Sequence, residues 1–368
     1  MTETPHHQAA VAPVIDDLDR QVRRDFDPNA DHVMRMAEVV RESLRLSPAA
    51  EDRTRTALLL IDLQNDFCYP DGALFVGGRS GTGAVDDLKR LAGWYYRHFP
   101  DITTVAASMD EHTPYQVFHT AFWQDAEGRH PAPFTQISLD DLDQERLRPS
   151  PAAVALVPAD VPPAERPSWA EQQLRHYLES LGMAERYALT LWPFHCLKGS
   201  PGQNLVGAVR RMMLFHGFAR CSQPVLIGKG DNPWTESYSA MGPEIATAFD
   251  GRRLEDLTSA SPQNGIAHLL ETHDRIVVAG QALSHCVLWT LSDMVRHVEN
   301  KGGTPPEIVL LKDCCSCVTV PDGRGGFHYD STEETDRALD HLAQRPFFRI
   351  ASAEEDAKTW LTQRIAAE

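Results

Sequence analysis

Apolar residues along the chain recur in five short runs, each ending in a polar or reactive side chain: "TALLLIDLQNDF", "ITTVAASMDEH", "PVLIGKGD", "RIVVAGQALSHC" and "EIVLLKDCCS". Runs that are apolar at nearly every position mark strands covered on both faces, as in a parallel sheet. Between them the period changes to that of an amphipathic helix, in residues 84–99, in residues 204–218 and after Cys286. In the last of these Val287, Leu288, Leu291, Met294 and Val295 share one stripe. Strand alternating with helix predicts an α/β fold, a doubly wound and mainly parallel sheet flanked by helices in three layers, α/β/α. In such sheets the site lies beyond the carboxyl ends of the strands, where Asp62, Asp110, Lys229 and Cys286 all fall.

Two regions stand outside this rhythm. Residues 1–50 read as an N-terminal extension with one helix, "DHVMRMAEVVRESLRL" (31–46), after a polar start. Within a main domain expected over 51–353, residues of about 120–185 read as an insertion, rich in Pro, Asp and Arg, of the kind that forms lids or interaction surfaces. Residues 354–368 are expected to close the chain as a helix.

Composition narrows the class. A chain of 368 residues with 42% hydrophobic content has enough apolar surface for a sizeable core, and its formal charge of −17 argues against a nucleic-acid surface. No run of eighteen apolar residues and no signal-peptide pattern occurs, so a soluble, cytoplasmic protein without a membrane partner is expected. Seven cysteines, three of them crowded at Cys314, Cys315 and Cys317, do not resemble a disulfide framework, and that trio reads as packing.

Cys286 stands where an apolar strand runs into a helix, so it is expected to open that helix. There the unpaired N–H groups and the helix dipole favour a thiolate. Alone, such a cysteine is as readily a small buried hydrophobe, a strand-end Asp62 a turn residue, and a strand-end Lys229 a solvated one. Together the three have a mechanism: the carboxylate takes the thiol proton and delivers it to a leaving amine, while the ammonium favours the thiolate and orients the acid. A second group follows the second strand, where Asp110 and His112 alternate at spacing two and face one way from extended chain. "LWPFHC" adds His195. Seen singly these are a surface turn and a core histidine. As a set, carboxylate and imidazole donors suit Zn²⁺, Fe²⁺ or Mn²⁺.

The segments "LLLIDLQNDF", "WPFHCLKGSPG", "KGDNPWTESYSAM" and "GQALSHCV" resemble those of the isochorismatase-like cysteine hydrolases, most closely the nicotinamidase branch, in the family's order over residues 56–320. The resemblance implies Asp62, Lys229 and Cys286 as the triad. It also implies an oxyanion held by the N–H groups of Cys286 and Ala282, with a cis peptide between Gln281 and Ala282. Phe67, Leu74, Trp192 and Tyr238 become walls for a flat ring. Asp110, His112 and His195 become ligands of one divalent transition metal, with no organic cofactor; His119 is a candidate fourth ligand, with Glu127, His130 or water as alternatives. The chain departs from the family pattern at Leu283 and Ser284, where Thr and Asp are usual, and at His285, which replaces a common aromatic.

The resulting expectation is an amidohydrolase converting nicotinamide, or a related pyridine or aromatic carboxamide, to the acid and ammonia through a cysteine thioester, working as a homo-oligomer on a small-molecule substrate. The alternative within enzymes is a metal-free cysteine hydrolase of a carbamoyl or ureido compound. Outside enzymes it is an idle relative serving as an assembly module, a reading that an intact Asp62, Lys229 and Cys286 disfavours.

Overall fold

Thr56–Ile61 (β1) is buried at every position, as expected of a strand covered on both faces, and it lies at the centre of a six-stranded sheet. The other strands are Thr104–Asp110 (β2), Val225–Lys229 (β3), Arg275–Gly280 (β4), Glu307–Leu311 (β5) and Phe348–Ala351 (β6). Their order across the sheet is β6-β5-β4-β1-β2-β3, and the pairings of β1 with β2, β1 with β4, β4 with β5 and β5 with β6 are all parallel. The computed structural model describes residues 9–12, 15, 17–183, 187–257 and 265–361.

Seven helices of eight or more residues are described: Ala30–Leu44 (α1), Gly83–His98 (α2), Arg166–Met183 (α3), Gly207–Arg220 (α4), Gly265–Thr272 (α5), Leu288–Lys301 (α6) and Thr332–Leu342 (α7). Helix α1 starts where the Asn29 side chain accepts from the His32 N–H, and it buries Val33, Ala37 and Val40, one stripe at helical spacing. It packs on α4. Helix α2 buries Leu88, Leu91, Ala92 and Tyr95, and the Tyr95 hydroxyl donates to the Met212 carbonyl of α4 at 3.1 Å. No helix among the described residues is long and apolar enough to cross a membrane.

The described residues divide into two units. One comprises those of Met1–Met109, Asn204–Ile227 and Asn264–Glu368; the other comprises those of Asp110–Gln203 and Gly228–Gln263. The second takes in the whole insertion, and here the structure corrects the sequence reading. The Pro-rich stretch gives way at Arg166 to the 18-residue helix α3, which buries Trp169, Leu174, Tyr177, Leu178 and Leu181. Two further corrections fall in the first unit. A sixth strand, β6, completes the sheet where none was expected. At the other end of the expected 354–368 helix, Lys358–Leu361 is helical and residues 362–368 lie outside the described residues.

The exits of β1 and β4 are held together by backbone. Gly280 has φ +144, and a Cβ there would lie 2.1 Å from the Ile61 carbonyl oxygen; the next residue, Gln281, donates its N–H to that same oxygen at 2.9 Å. Only glycine fits so close an approach.

Candidate active site

In the first unit, Asp62 follows β1 in a left-handed conformation, φ 47, which an aspartate tolerates better than most residues. Ser108 on β2 fixes it, accepting from the Asp62 N–H at 3.2 Å and donating its hydroxyl to Oδ1 at 2.6 Å. The Asp62 carboxylate and the Cys286 sulfur lie within 4.8 Å of one another, and both residues are buried. Cys286 does not open an α-helix as the sequence suggested. It sits in a π-helical turn, Leu283–Val287, in which the Val287 N–H reaches back to the Ala282 carbonyl at 3.1 Å, and α6 begins only at Leu288. Such widened turns occur frequently at functional positions.

The peptide between Gln281 and Ala282 is cis. Its side-chain anchor went unnoticed in the sequence: Gln281 Nε2 donates to Asp87 Oδ2 at 2.8 Å, and Oε1 accepts from the Ser316 N–H at 3.2 Å. Burial pushes the Asp87 carboxyl upward, against hydrogen bonds from Ser316, Gln281 and Arg90. The unusual Leu283 and Ser284 tie the turn to the same segment: Leu283 N–H donates to Ser316 O at 2.8 Å, and the Ser284 hydroxyl accepts from Val318 N–H at 3.0 Å. Ser284 also bonds His285 Nδ1 at 2.8 Å, and burial pushes that imidazole down to about 4, so it is neutral. Phe67 is buried and Leu74 half-buried on either side of a tight turn closed by Val76 N–H to Phe67 O at 2.9 Å.

In the second unit, Lys229 at the end of β3 is fully buried. It donates to Asp110 Oδ1 and, at 2.9 Å, to the Ser237 carbonyl. Asp110, His112 and His195 are all buried, and their donor atoms lie within 4.8 Å of one another. Burial pushes the Asp110 carboxyl up, but the charge of Lys229 and the imidazoles of His112 and His195 outweigh it and hold the group well below the usual carboxylate range. His112 Nδ1 bonds the Gly230 carbonyl at 2.8 Å, and His195 Nδ1 bonds the Pro193 carbonyl at 2.7 Å. A carbonyl only accepts, so each Nδ1 carries a proton and Nε2 is the ring atom left to face the cluster, the orientation second-shell bonds impose on metal-binding histidines. Gly230, φ +77, is required here, since a Cβ would meet His112 Cε1 at 2.7 Å.

His119 stands beside this cluster, its ring centroid 5.8 Å from those of both His112 and His195. Its Nδ1 donates to the Thr113 carbonyl at 3.1 Å; its Nε2 is buried and has no hydrogen-bond partner. Burial, with His112 and His195 adding to it, pushes this imidazole down to about 2, so it is neutral. The donor set and the orphaned Nε2 fit a transition metal. The alternatives stand apart from the cluster: Glu127 pairs with Arg129 on the surface, and His130 Nδ1 bonds the Trp123 carbonyl at 2.6 Å. Trp192 and Tyr238 are buried and joined, Trp192 Nε1 donating to the Tyr238 oxygen at 2.9 Å.

Across 242 residues, 65% of this chain and 76% of the other protein, the sequence is 26% identical to the nicotinamidase of Escherichia coli (strain K12). No family model matches this chain. Among solved structures, the yeast nicotinamidase Pnc1p bound to nicotinaldehyde is similar at 16% identity and a TM-score of 0.49, covering 81% of this chain and 99% of that one. The Acinetobacter baumanii nicotinamidase is similar at 18% identity and a TM-score of 0.46, covering 82% and 98%.

Proposed function

We propose that this enzyme, a hydrolase of amide C–N bonds, cleaves the carboxamide of nicotinamide or a closely related pyridine or aromatic carboxamide to the acid and ammonia. Asp62, Lys229 and Cys286 act as one triad. Asp62, held by Ser108, removes the Cys286 proton, and the thiolate attacks the amide carbon; Lys229 supplies the cation that favours thiolate and oriented acid. The N–H groups of Cys286 and Ala282 receive the developing oxyanion. Asp62 passes its proton to the departing nitrogen, the C–N bond breaks, ammonia leaves and a thioester remains. Water, deprotonated by Asp62, then attacks the thioester carbon; the acid departs and the thiol regains its proton. Phe67, Leu74, Trp192 and Tyr238 offer apolar and aromatic surface to a planar ring.

The observation that carries the pyridine reading is the buried cluster of Asp110, His112 and His195 with donor atoms within 4.8 Å, since a metal-free amide hydrolase has no use for it. These three, with His119 as fourth donor, would hold one divalent transition metal. Such an ion supplies Lewis-acid polarisation and a ligand position for a ring nitrogen or water. The test is ammonia release from a panel of pyridine carboxamides, carbamoyl and ureido compounds, run with and without a strong chelator. Chelator-sensitive turnover of pyridine amides is expected. Full activity on a ureido or carbamoyl compound in chelator, with none on pyridine amides, leaves the metal-free hydrolase instead. We further propose a homo-oligomer, checked by light scattering.

A further inference from the structure

The insertion helix α3 places Tyr177, fully buried, against the loop that follows β3, and its hydroxyl accepts the backbone N–H of Glu236 at 3.2 Å. Glu236 is itself buried. Its Oε1 accepts the indole N–H of Trp192 at 3.0 Å, the same N–H that reaches the Tyr238 oxygen, and the Tyr238 hydroxyl bonds its carboxyl. The rings of Tyr187 and Tyr238 meet edge to face, with centroids 4.4 Å apart. The Glu236 carbonyl accepts the N–H of Glu244 at 2.8 Å. One carboxyl thus joins both aromatic residues assigned to the ring site, and one tyrosine of the insertion holds that carboxyl's backbone.

We propose that Glu236, secured by Tyr177 of α3, is the positioning residue that fixes Trp192 and Tyr238 as walls for the planar substrate, so that the insertion sets specificity from behind the walls. The inference rests on the assignment of Trp192 and Tyr238 to the substrate site. Its physical reason is the cost of an unpaired buried polar group: an indole N–H and a phenol that lose their common partner turn towards other partners, and a flat ring loses the surface it stacks on. A wall contributes to substrate binding alike in the ground and transition states, so its loss appears in KM with little change in kcat.

The charge state of Glu236 gives a second readout. Burial is the largest influence on its carboxyl and Glu244 adds to it, so the group is pushed up to about 8 even though hydrogen bonds from Tyr238 and Trp192 oppose the shift. The polar groups facing it are Glu244, Tyr177, Tyr187, Tyr238 and Trp192. It is therefore neutral near pH 7, and its ionisation at higher pH places an unpaired anion behind the walls.

The test is steady-state kinetics with a pyridine carboxamide on the metal-loaded full chain. Glu236→Ala is expected to raise KM about tenfold, roughly the factor of one lost hydrogen bond to a buried group, with kcat changed less than about threefold. Glu236→Gln, which keeps an acceptor, is expected to recover most of that loss. Wild-type KM is expected to rise above about pH 8, and the Gln variant to lack the rise. Tyr177→Phe is expected to shift KM in the direction of the Ala variant. If Trp192→Ala raises KM and Glu236→Ala does not, the positioning role is wrong and the wall assignment survives. If neither raises it, the wall assignment is wrong and the positioning role with it. Should Glu236→Ala fail to fold, the pH profile of Glu236→Gln decides: a KM rise that persists in it, or that the wild type lacks, overturns the proposal.

Discussion

Lys229 and Asp110 form an ion pair in which the lysine is fully buried and the carboxylate nearly so. Removing one partner of such a pair strands a charge away from water. Lys229→Ala, measured by urea unfolding of chelated protein, is expected to cost about 3–5 kcal/mol. Adding Asp110→Asn to it should recover part of the loss. A cost below about 1 kcal/mol would be that of a solvated pair and would contradict the burial.

Cys286→Ala is expected to lower kcat by more than about a thousandfold, since no other thiol is placed to form the thioester. Asp62→Asn and the double variant should fall to nearly the same level, because groups acting as one unit are not additive. Ammonia release checks this. Near-normal turnover in the Ala variant would remove the nucleophile assignment.

Metal content gives an independent measurement. Elemental analysis of untagged protein prepared without chelator should find about one transition metal per chain. His112→Ala should abolish tight binding, and His119→Ala should weaken it by at least about tenfold, an effect of the size seen when metal-site partners are lost. Iodoacetamide should still label Cys286 in both variants. Unchanged metal affinity in His119→Ala would leave water as the fourth donor.

Thiol reactivity separates activation from simple access. Cys68 and Cys196 are buried, and burial pushes the Cys68 thiol well above its ordinary range, so it should stay unlabelled in the folded protein. Cys221 is exposed and lies 3.3 Å from an Arg41 nitrogen, so it is the true competitor of Cys286. Iodoacetamide should label Cys286 faster than Cys221 in the folded protein. Peptide mapping that shows equal labelling of the two cysteines would argue against an activated Cys286.

Glu236 also links stability to pH. The folded chain keeps this proton up to about pH 8, whereas the unfolded chain releases it around the ordinary value of 4.5. Its contribution is therefore complete below the lower value and is lost as pH rises through the higher one. Urea unfolding should show stability falling by a few kcal/mol across that window, and Glu236→Gln should flatten the slope. Equal slopes in the two proteins would contradict a neutral buried carboxyl.

The sheet was legible because strands buried on both faces leave nearly unbroken apolar runs, as in "ALLLI" and "IVVAG". β6 escaped because it has four residues and two of them, Arg349 and Ile350, are not buried. Helix α3 carried its period openly in Trp169, Leu174, Tyr177 and Leu181; the prolines before it, up to Pro167, masked its start. The π turn at Cys286 has no pattern in sequence, since it differs from an α turn by one residue of winding. Candidate chemistry-bearing residues could be picked by type and place. Their supports, Ser108, Asp87, Ser316, Gly230 and Glu236, could not, because each acts through a partner distant in sequence.

At Gly280 the backbones of β1 and β4 meet with no room for a single carbon between them. The spacing of acid and thiol is thus set by strand register, upstream of any side chain. Under the proposed triad and pocket, a redesign for a bulkier amide must find its extra space among the proposed wall residues, because widening the gap between Asp62 and Cys286 means dismantling the centre of the sheet.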